Sequence, residues 1–325
     1  MSEENNLTTT IKEFILVGFP GLHPDYYELV AFILCLLYLS IIAGNSTFVV
    51  IFALKPGLHK PMFIIMLSLT LSDIGFSTVA LPKIIARYWF DDTVISFHAC
   101  FMQRLFIHSF GSLNSFIMMI MALDRYLAIC FPLRYPVLMK HCTMIILNCF
   151  AWVFSLVPTG ISFIYTYMLP YCGPNRIYHC YCEQNSILSL ACDRERGPEL
   201  ISFCLAMLVL LIPLAFIIYS YIHIIATVAG IASSQGRWKA FSTCSTQMFI
   251  ITIYYLPRCT VYVCNLVGIS MDADIRIVVA LFYSLLPPLV NPLIYCFRTK
   301  DIHQTLVQWV SVKWVGKSSI ASISS

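Results

Sequence analysis

The sequence predicts an all-α integral membrane protein: a bundle of seven transmembrane helices followed by a short amphipathic helix. Three observations predict it. The 325 residues are 59% hydrophobic and only 11% charged, where an ordinary soluble domain is about 25% charged. The apolar residues gather into seven long runs, and about 20 such residues cross a bilayer. The charges, which sum to only +4, are sorted along the chain between the runs. A closed barrel is the other architecture lipid permits, and these runs are too long for barrel strands.

Taken in order, residues 1–28 form a polar N-terminal tail carrying the sequon Asn6-Leu7-Thr8, a glycosylation acceptor if the tail is outside. A second match, Asn45-Ser46-Thr47, lies inside an apolar run and is discounted. The first run begins near residue 29, too far along and too long for a cleavable signal core of roughly 7–15 residues. The spans are 29–54, 61–82, 101–123, 142–169, 200–228, 241–269 and 275–297, which together make residues 29–297 one membrane domain. Pro158, Pro213, Pro257, Pro287, Pro288 and Pro292 fall inside them, as membrane helices tolerate when neighbours satisfy the freed carbonyls.

The connections 55–60, 124–141 and 230–240 hold Lys55, Lys60, Arg125, Arg134, Lys140, Arg237 and Lys239 against Asp124 alone. Acids such as Glu13, Asp25, Asp91, Asp92, Glu183, Glu199 and Asp272 crowd the other side. Basic residues mark the cytoplasmic loops, so the N-terminus is expected outside and the tail, 298–325, inside. The segment RTKDIHQTLVQWVSVKW (298–314) has apolar residues at helical spacing and basic flanks, suited to lying along the inner leaflet.

Five cysteines fall on the outer side: Cys100 at the head of span three, and Cys172, Cys180, Cys182 and Cys192 in one loop. Disulfides are expected in that compartment, and an odd number leaves one over. His179, Cys180 and Cys182 are too close together for a structural zinc site. No metal, cofactor or nucleic-acid partner is expected.

Polar residues inside the runs are the candidate machinery, because charge in lipid is costly and usually functional. Asn45, Asp73 and Asn291 lie deep in spans one, two and seven and are expected to face one another through water or an ion. Arg104, His108, Gly111 and Ser112 recur at helical spacing on span three, as do Tyr255, Arg258, Cys259 and Tyr262 on span six. A ligand site is expected among the outer halves of spans three, five, six and seven, with Asn185 in its lid. Arg258, in a neutral stretch, calls for an anion: a ligand carboxylate with help from His108, or a loop acid such as Glu183. Arg104 lies nearer the surface and reads as structural.

The ordered motifs resemble the olfactory receptors, rhodopsin-like (class A) G-protein-coupled receptors. MALDRYLAICFPLRYP (121–136) is similar to their signature at the end of span three, and LHKPMF (58–63) to their first inner loop. SYIHI (220–224), KAFSTCSTQM (239–248) and PPLVNPLIYCFRTKDI (287–302) are similar to their later spans. FILVGFPGL (14–22) is similar to their N-terminal segment, in a form like that of the fish-like (class I) branch. The chain departs from the pattern at Gln247, where His is common, and at Tyr254-Tyr255-Leu256, where Phe-Tyr-Gly is common. Pro257 adds a kink to span six, and Cys180 replaces an aromatic.

The resemblance implies a small-molecule odorant as ligand, a heterotrimeric stimulatory G protein raising cyclic AMP, and a plasma-membrane location, in sensory cilia if olfactory. It implies Cys100–Cys182 and Cys172–Cys192 disulfides, with Cys180 spare. Asp124, Arg125 and Tyr126 would couple to the G protein, Arg125 pairing with its neighbour Asp124 at rest. Tyr221 and the Asn291-Pro292…Tyr295 turn would be switch residues, and Tyr255 the hinge aromatic.

Other classes fit less well. Span seven has no lysine for retinal, and Ile107 and its helical neighbours offer no acid for an amine ligand. A peptide or lipid receptor is the nearest alternative; a channel or transporter would want paired halves, and none is visible. No HExxH, GxSxG or phosphate loop points to an enzyme.

Overall fold

In the computed structural model, which describes residues 11–172, 174–192, 196–230, 233–267, 269, 271–298 and 302–307, the rim is apolar and the interior buries polar side chains among its apolar clusters. Leu29, Phe32, Leu36, Phe150, Phe154, Ile212 and Leu256 are exposed, while Asn45, Ser72, Asp73, Ser77 and Asn114 are buried. This inversion is what lipid as solvent requires of the chain's composition.

The chain runs β1 (Glu13–Leu16), α1 (Tyr27–Leu54), α2 (Pro61–Trp89), β2 (Val94–Ser96), α3 (Phe97–Cys130), a single turn α4 (Tyr135–Leu138) and α5 (His141–Tyr167). It continues with β3 (Arg176–Ile177), a short α6 (Gln184–Leu188), α7 (Arg196–Ala229), α8 (Ser234–Val267) and α9 (Ala273–Arg298). The seven long helices are α1, α2, α3, α5, α7, α8 and α9. Six are apolar enough to cross a membrane on length and composition; α8, with a polar and basic first third, completes the seven.

The long helices overrun several sequence limits because charge and proline end an apolar run without ending a helix. α2 passes Pro82 and continues to Trp89. Its last turns are held from outside: Lys83 pairs with Asp92 at 2.7 Å, and Arg87 with Asp91 at 2.6 Å. α3 begins at Phe97, where the Ser96 hydroxyl caps the Ala99 N–H at 3.3 Å. Residues 302–307 are helical, and Ile302 packs into the core cluster around Phe63 and Met144. That is the start of the expected amphipathic helix; the rest of 298–314, from residue 308, lies outside the described residues, as does Asn6.

At the N-terminal face β1 is the middle strand of a three-stranded sheet, antiparallel to β2 (Phe14 opposite Ile95) and parallel to β3 (Leu16 opposite Ile177). Phe14 and Leu16 are fully buried, against Phe97, Phe101 and Tyr171. The segment then turns at Gly18, where φ is +80° and a side chain would meet the Tyr88 ring. Tyr88 Oη accepts from the Phe19 N–H at 2.8 Å, and Asp274 from that of Gly21 at 2.9 Å.

Two interior prolines explain two long-range bonds. A proline lacks the N–H that would pair with the carbonyl four residues back. Pro292 frees the carbonyl of Pro288, which Asn45 Nδ2 on α1 donates to at 3.0 Å. Pro213 frees that of Val209, which Ser115 Oγ on α3 donates to at 3.3 Å.

Candidate ligand cavity and polar core

A cavity of about 830 Å³ opens between α3, α5, α7, α8 and α9, under the loop that carries Tyr181 to Asn185. Arg104, His108, Gly111, Ser112, Asn185, Arg258 and Tyr262 line it. α5 also contributes, through Pro158, Thr159 and Ser162, which the sequence did not suggest. Tyr255 and Cys259 are not in its wall. They lie one residue, about 100° of helix turn, from the 254–258–262 row, and pack instead into the cluster with Met118, Ile217 and Tyr221. Tyr255 is tied there by a 2.5 Å bond to Ser115 Oγ.

Arg104 is not near the surface; it is 2% exposed. It donates to Thr166 Oγ1 and, at 3.1 Å, to Ser162 Oγ, joining α3 to α5. These two bonds brace the cavity wall from a buried depth that the length of α3 provides. His108 makes no hydrogen bond among the described residues, and its Nε2 is buried and unpartnered.

Arg258 lies against two rings, its guanidinium carbon 4.5 Å from the Tyr254 centroid and 4.9 Å from that of Tyr283. Nη1 donates to Tyr254 Oη at 2.6 Å, and that hydroxyl in turn donates to the Gly111 carbonyl on α3. Among the described residues no carboxylate lies within 4 Å of Arg258. The loop acid weighed as its partner is committed elsewhere: Glu183 accepts from the Ser186 N–H at 2.9 Å and from its hydroxyl at 3.1 Å, capping α6. Burial pushes the Glu183 carboxyl up, but His179, the Asn185 and Ser186 amides and Arg276 outweigh it and hold the group below the usual carboxylate range. Burial holds His179 down at about 4.

Below the cavity, Asp73 accepts from Asn291 Nδ2 at 2.8 Å and Asn114 Nδ2 at 3.4 Å. Asn45 makes no direct bond to Asp73 or Asn291, and its Oδ1 is buried without a partner among the described residues. Its amide is used on the Ile41 and Pro288 carbonyls, and Asn114, from α3, takes the place expected of it. A void of about 10 Å³, room for roughly one water, adjoins the cluster and is lined by Asn114, Gln247 and Asn291 among others.

At the C-terminal face Asp124 and Arg125 do not pair. Successive helical residues point about 100° apart, so Asp124 accepts from Tyr135 Oη at 2.8 Å while Arg125 Nη2 meets Met62 Sδ at 3.3 Å. Tyr126 packs against Phe131, Tyr219 and His223. Tyr221 is buried, with an unpartnered hydroxyl. Asn291 and Pro292 lie in α9; the side chain of Tyr295 lies outside the described residues. Cys100–Cys182 and Cys172–Cys192 are bonded, with Cα separations of 5.5 and 5.3 Å. Cys180 is free and buried beside Tyr88 Oη at 3.7 Å.

Tyr283, Asn114, Ser115 and Tyr135 were not singled out from the sequence, and Tyr254 was noted only as a departure from the family pattern. Tyr254 alone had a local signal, lying four residues before Arg258 on the same helix face.

Seven membrane helices around a part-polar cavity, with a buried carboxylate–amide cluster beneath it, define a rhodopsin-like receptor. The family profile described as olfactory receptor matches residues 34–313, and the chain belongs to the olfactory receptor family. Human olfactory receptor 2AT4 is 36% identical over 298 residues, 92% of each chain. Human olfactory receptor 6N1 is 36% identical over 91% of this chain and 94% of its own. Rat olfactory receptor 1500 is 33% identical over 95% of this chain and 98% of its own. These relatives are receptors, not enzymes, and the chain is a multi-pass membrane protein.

Proposed function

We propose that this receptor binds a small carboxylic acid in the cavity and, at the opposite face, activates a heterotrimeric stimulatory G protein to raise cyclic AMP. The observation that carries the ligand class is Arg258: a cation at membrane depth, against two tyrosine rings, beside open volume and without an acid of its own among the described residues. A carboxylate would take the free edge of the guanidinium in a bidentate pair, with His108 as a further polar contact. Ser112, Tyr262 and Asn185 would shape the rest of the ligand's surroundings, and Arg104 would brace the wall. The N-terminus would face the exterior with Asn6 glycosylated, in the plasma membrane and, in olfactory tissue, its cilia. The three domains would then be the outer tail 1–28, the receptor core 29–297 and the inner tail 298–325.

Signalling would run through Asp124, Arg125 and Tyr126. Arg125, whose hydrogen bond among the described residues is to a thioether, would turn to the G protein once α8 moves away, with Tyr221, Asn291, Pro292 and Tyr295 as the switch beneath. Matched acids and methyl esters, applied to cells expressing the full chain with a cyclic-nucleotide reporter, test the ligand class. Acids should be the more potent, and Arg258→Gln should remove the difference; equal potency of acid and ester would discard the carboxylate. Arg125→Ala at normal surface expression should silence the response, and unchanged signalling would remove that residue from the mechanism.

A further inference from the structure

We propose that the Tyr254 hydroxyl is a latch between α3 and α8 that the ligand opens, and that the same hydroxyl positions Arg258 for an anion. Only the second half rests on the carboxylate reading.

The hydroxyl is fully used: it donates to the Gly111 carbonyl and accepts from Arg258 Nη1 at 2.6 Å. One atom therefore ties the backbone of α3 to the cation of the cavity. Gly111 also leaves room for the cation, because a Cβ there would stand 3.3 Å from Arg258 Nη2 and 3.5 Å from Nη1 and would push the guanidinium back by a few tenths of an ångström. One turn further along α3, Ser115 holds Tyr255, so neighbouring tyrosines of α8 grip successive turns of the same helix. Between Tyr254 and Arg258 stands Pro257, which lacks the N–H that would close on the Ile253 carbonyl. Helices bend at such places. The latch thus straddles the weakest turn of α8.

An anion on the remaining edge of the planar guanidinium, which Tyr254 holds in place until then, draws the cation towards itself and away from the tyrosine. Once Arg258 turns to the ligand, Tyr254 loses the cation that polarised its hydroxyl, its bond to the Gly111 carbonyl weakens, and the C-terminal-face half of α8 is less firmly held to α3. Ligand capture and helix release become one exchange of hydrogen bonds.

Tyr254→Phe in the full-length receptor tests this, because it keeps the ring over the guanidinium and removes only the hydroxyl. With signalling normalised to surface expression, basal cyclic AMP should rise about threefold, and the acid-to-ester potency ratio should fall about tenfold, as loss of one charge-assisted bond implies. Unchanged basal output overturns the latch. A raised basal output with an unchanged ratio overturns the positioning role. If the wild type answers no acid while Tyr254→Phe raises basal output, the carboxylate reading falls and the latch stands. Gly111→Ala, which pushes the guanidinium from the α3 side, should raise basal output in the same way and serves if Tyr254→Phe fails to reach the surface; no rise there overturns the latch too.

Discussion

Asp73 shows what one residue can hold at membrane depth. Its carboxyl is completely buried and gathers two amides, from Asn114 and Asn291, on two other helices. Replacing it with alanine orphans both donors at about 1–3 kcal/mol each. Asp73→Ala should therefore lower the melting temperature of detergent-solubilised receptor, and Asp73→Asn, which keeps an acceptor oxygen, should lower it less. The placement of Asp73 and Arg258 in the interior was legible in the sequence, because a charge inside an apolar run stands out on its own. Their partners were not. Asn114 lies 41 residues from Asp73, and nothing local distinguishes it from other polar residues of span three. The Asp124–Arg125 pairing failed for a different reason: adjacency in sequence is divergence on a helix.

Among the helices and loops, proline sets the pattern of cross-links. The Pro288 carbonyl freed by Pro292 is met by Asn45, whereas Thr47, on the same helix, bonds only its own Ala43 carbonyl at 2.7 Å. Asn45→Val should accordingly destabilise the receptor by about 1–3 kcal/mol while Thr47→Val changes little, both read by thermal unfolding. The loop above the cavity should be acid-sensitive. His179, with an ordinary value near 6.5, is held down at about 4, so the folded loop favours its neutral form. The stability this gives is complete above pH 6.5 and declines as pH falls from there towards 4. Glu183, held low, acts with the same sign below its ordinary value of 4.5. The melting temperature should fall on acidification through that window, and His179→Gln should flatten the decline above pH 4.5; an unchanged slope would remove His179 from the account.

Among the described residues, the N-terminal face is stapled and the C-terminal face shows no comparable ties. Two disulfides, a three-stranded sheet and the Arg87 and Asp274 anchors converge on the former. Cys100→Ser should reduce the surface-expressed fraction sharply, since losing such a bridge typically costs about 2–5 kcal/mol; normal surface levels and melting behaviour would contradict it. The other face is closed by packing of the 302–307 helix and by Tyr135 on Asp124, which leaves it freer to open towards a partner.

The linear order of residues by itself determined that this chain lives in lipid, how many times it crosses, and which few charges lie inside the apolar runs. Those follow from transfer energies that add up along a segment. Only the packed bundle decided which α8 residues face the cavity, that Asn45 serves a proline's freed carbonyl rather than Asp73, and that Tyr254 joins Arg258 to α3. A hydrogen bond needs two groups within about 3 Å, and helices far apart in the chain meet at such distances only when the rotation and depth of each are fixed by all the others.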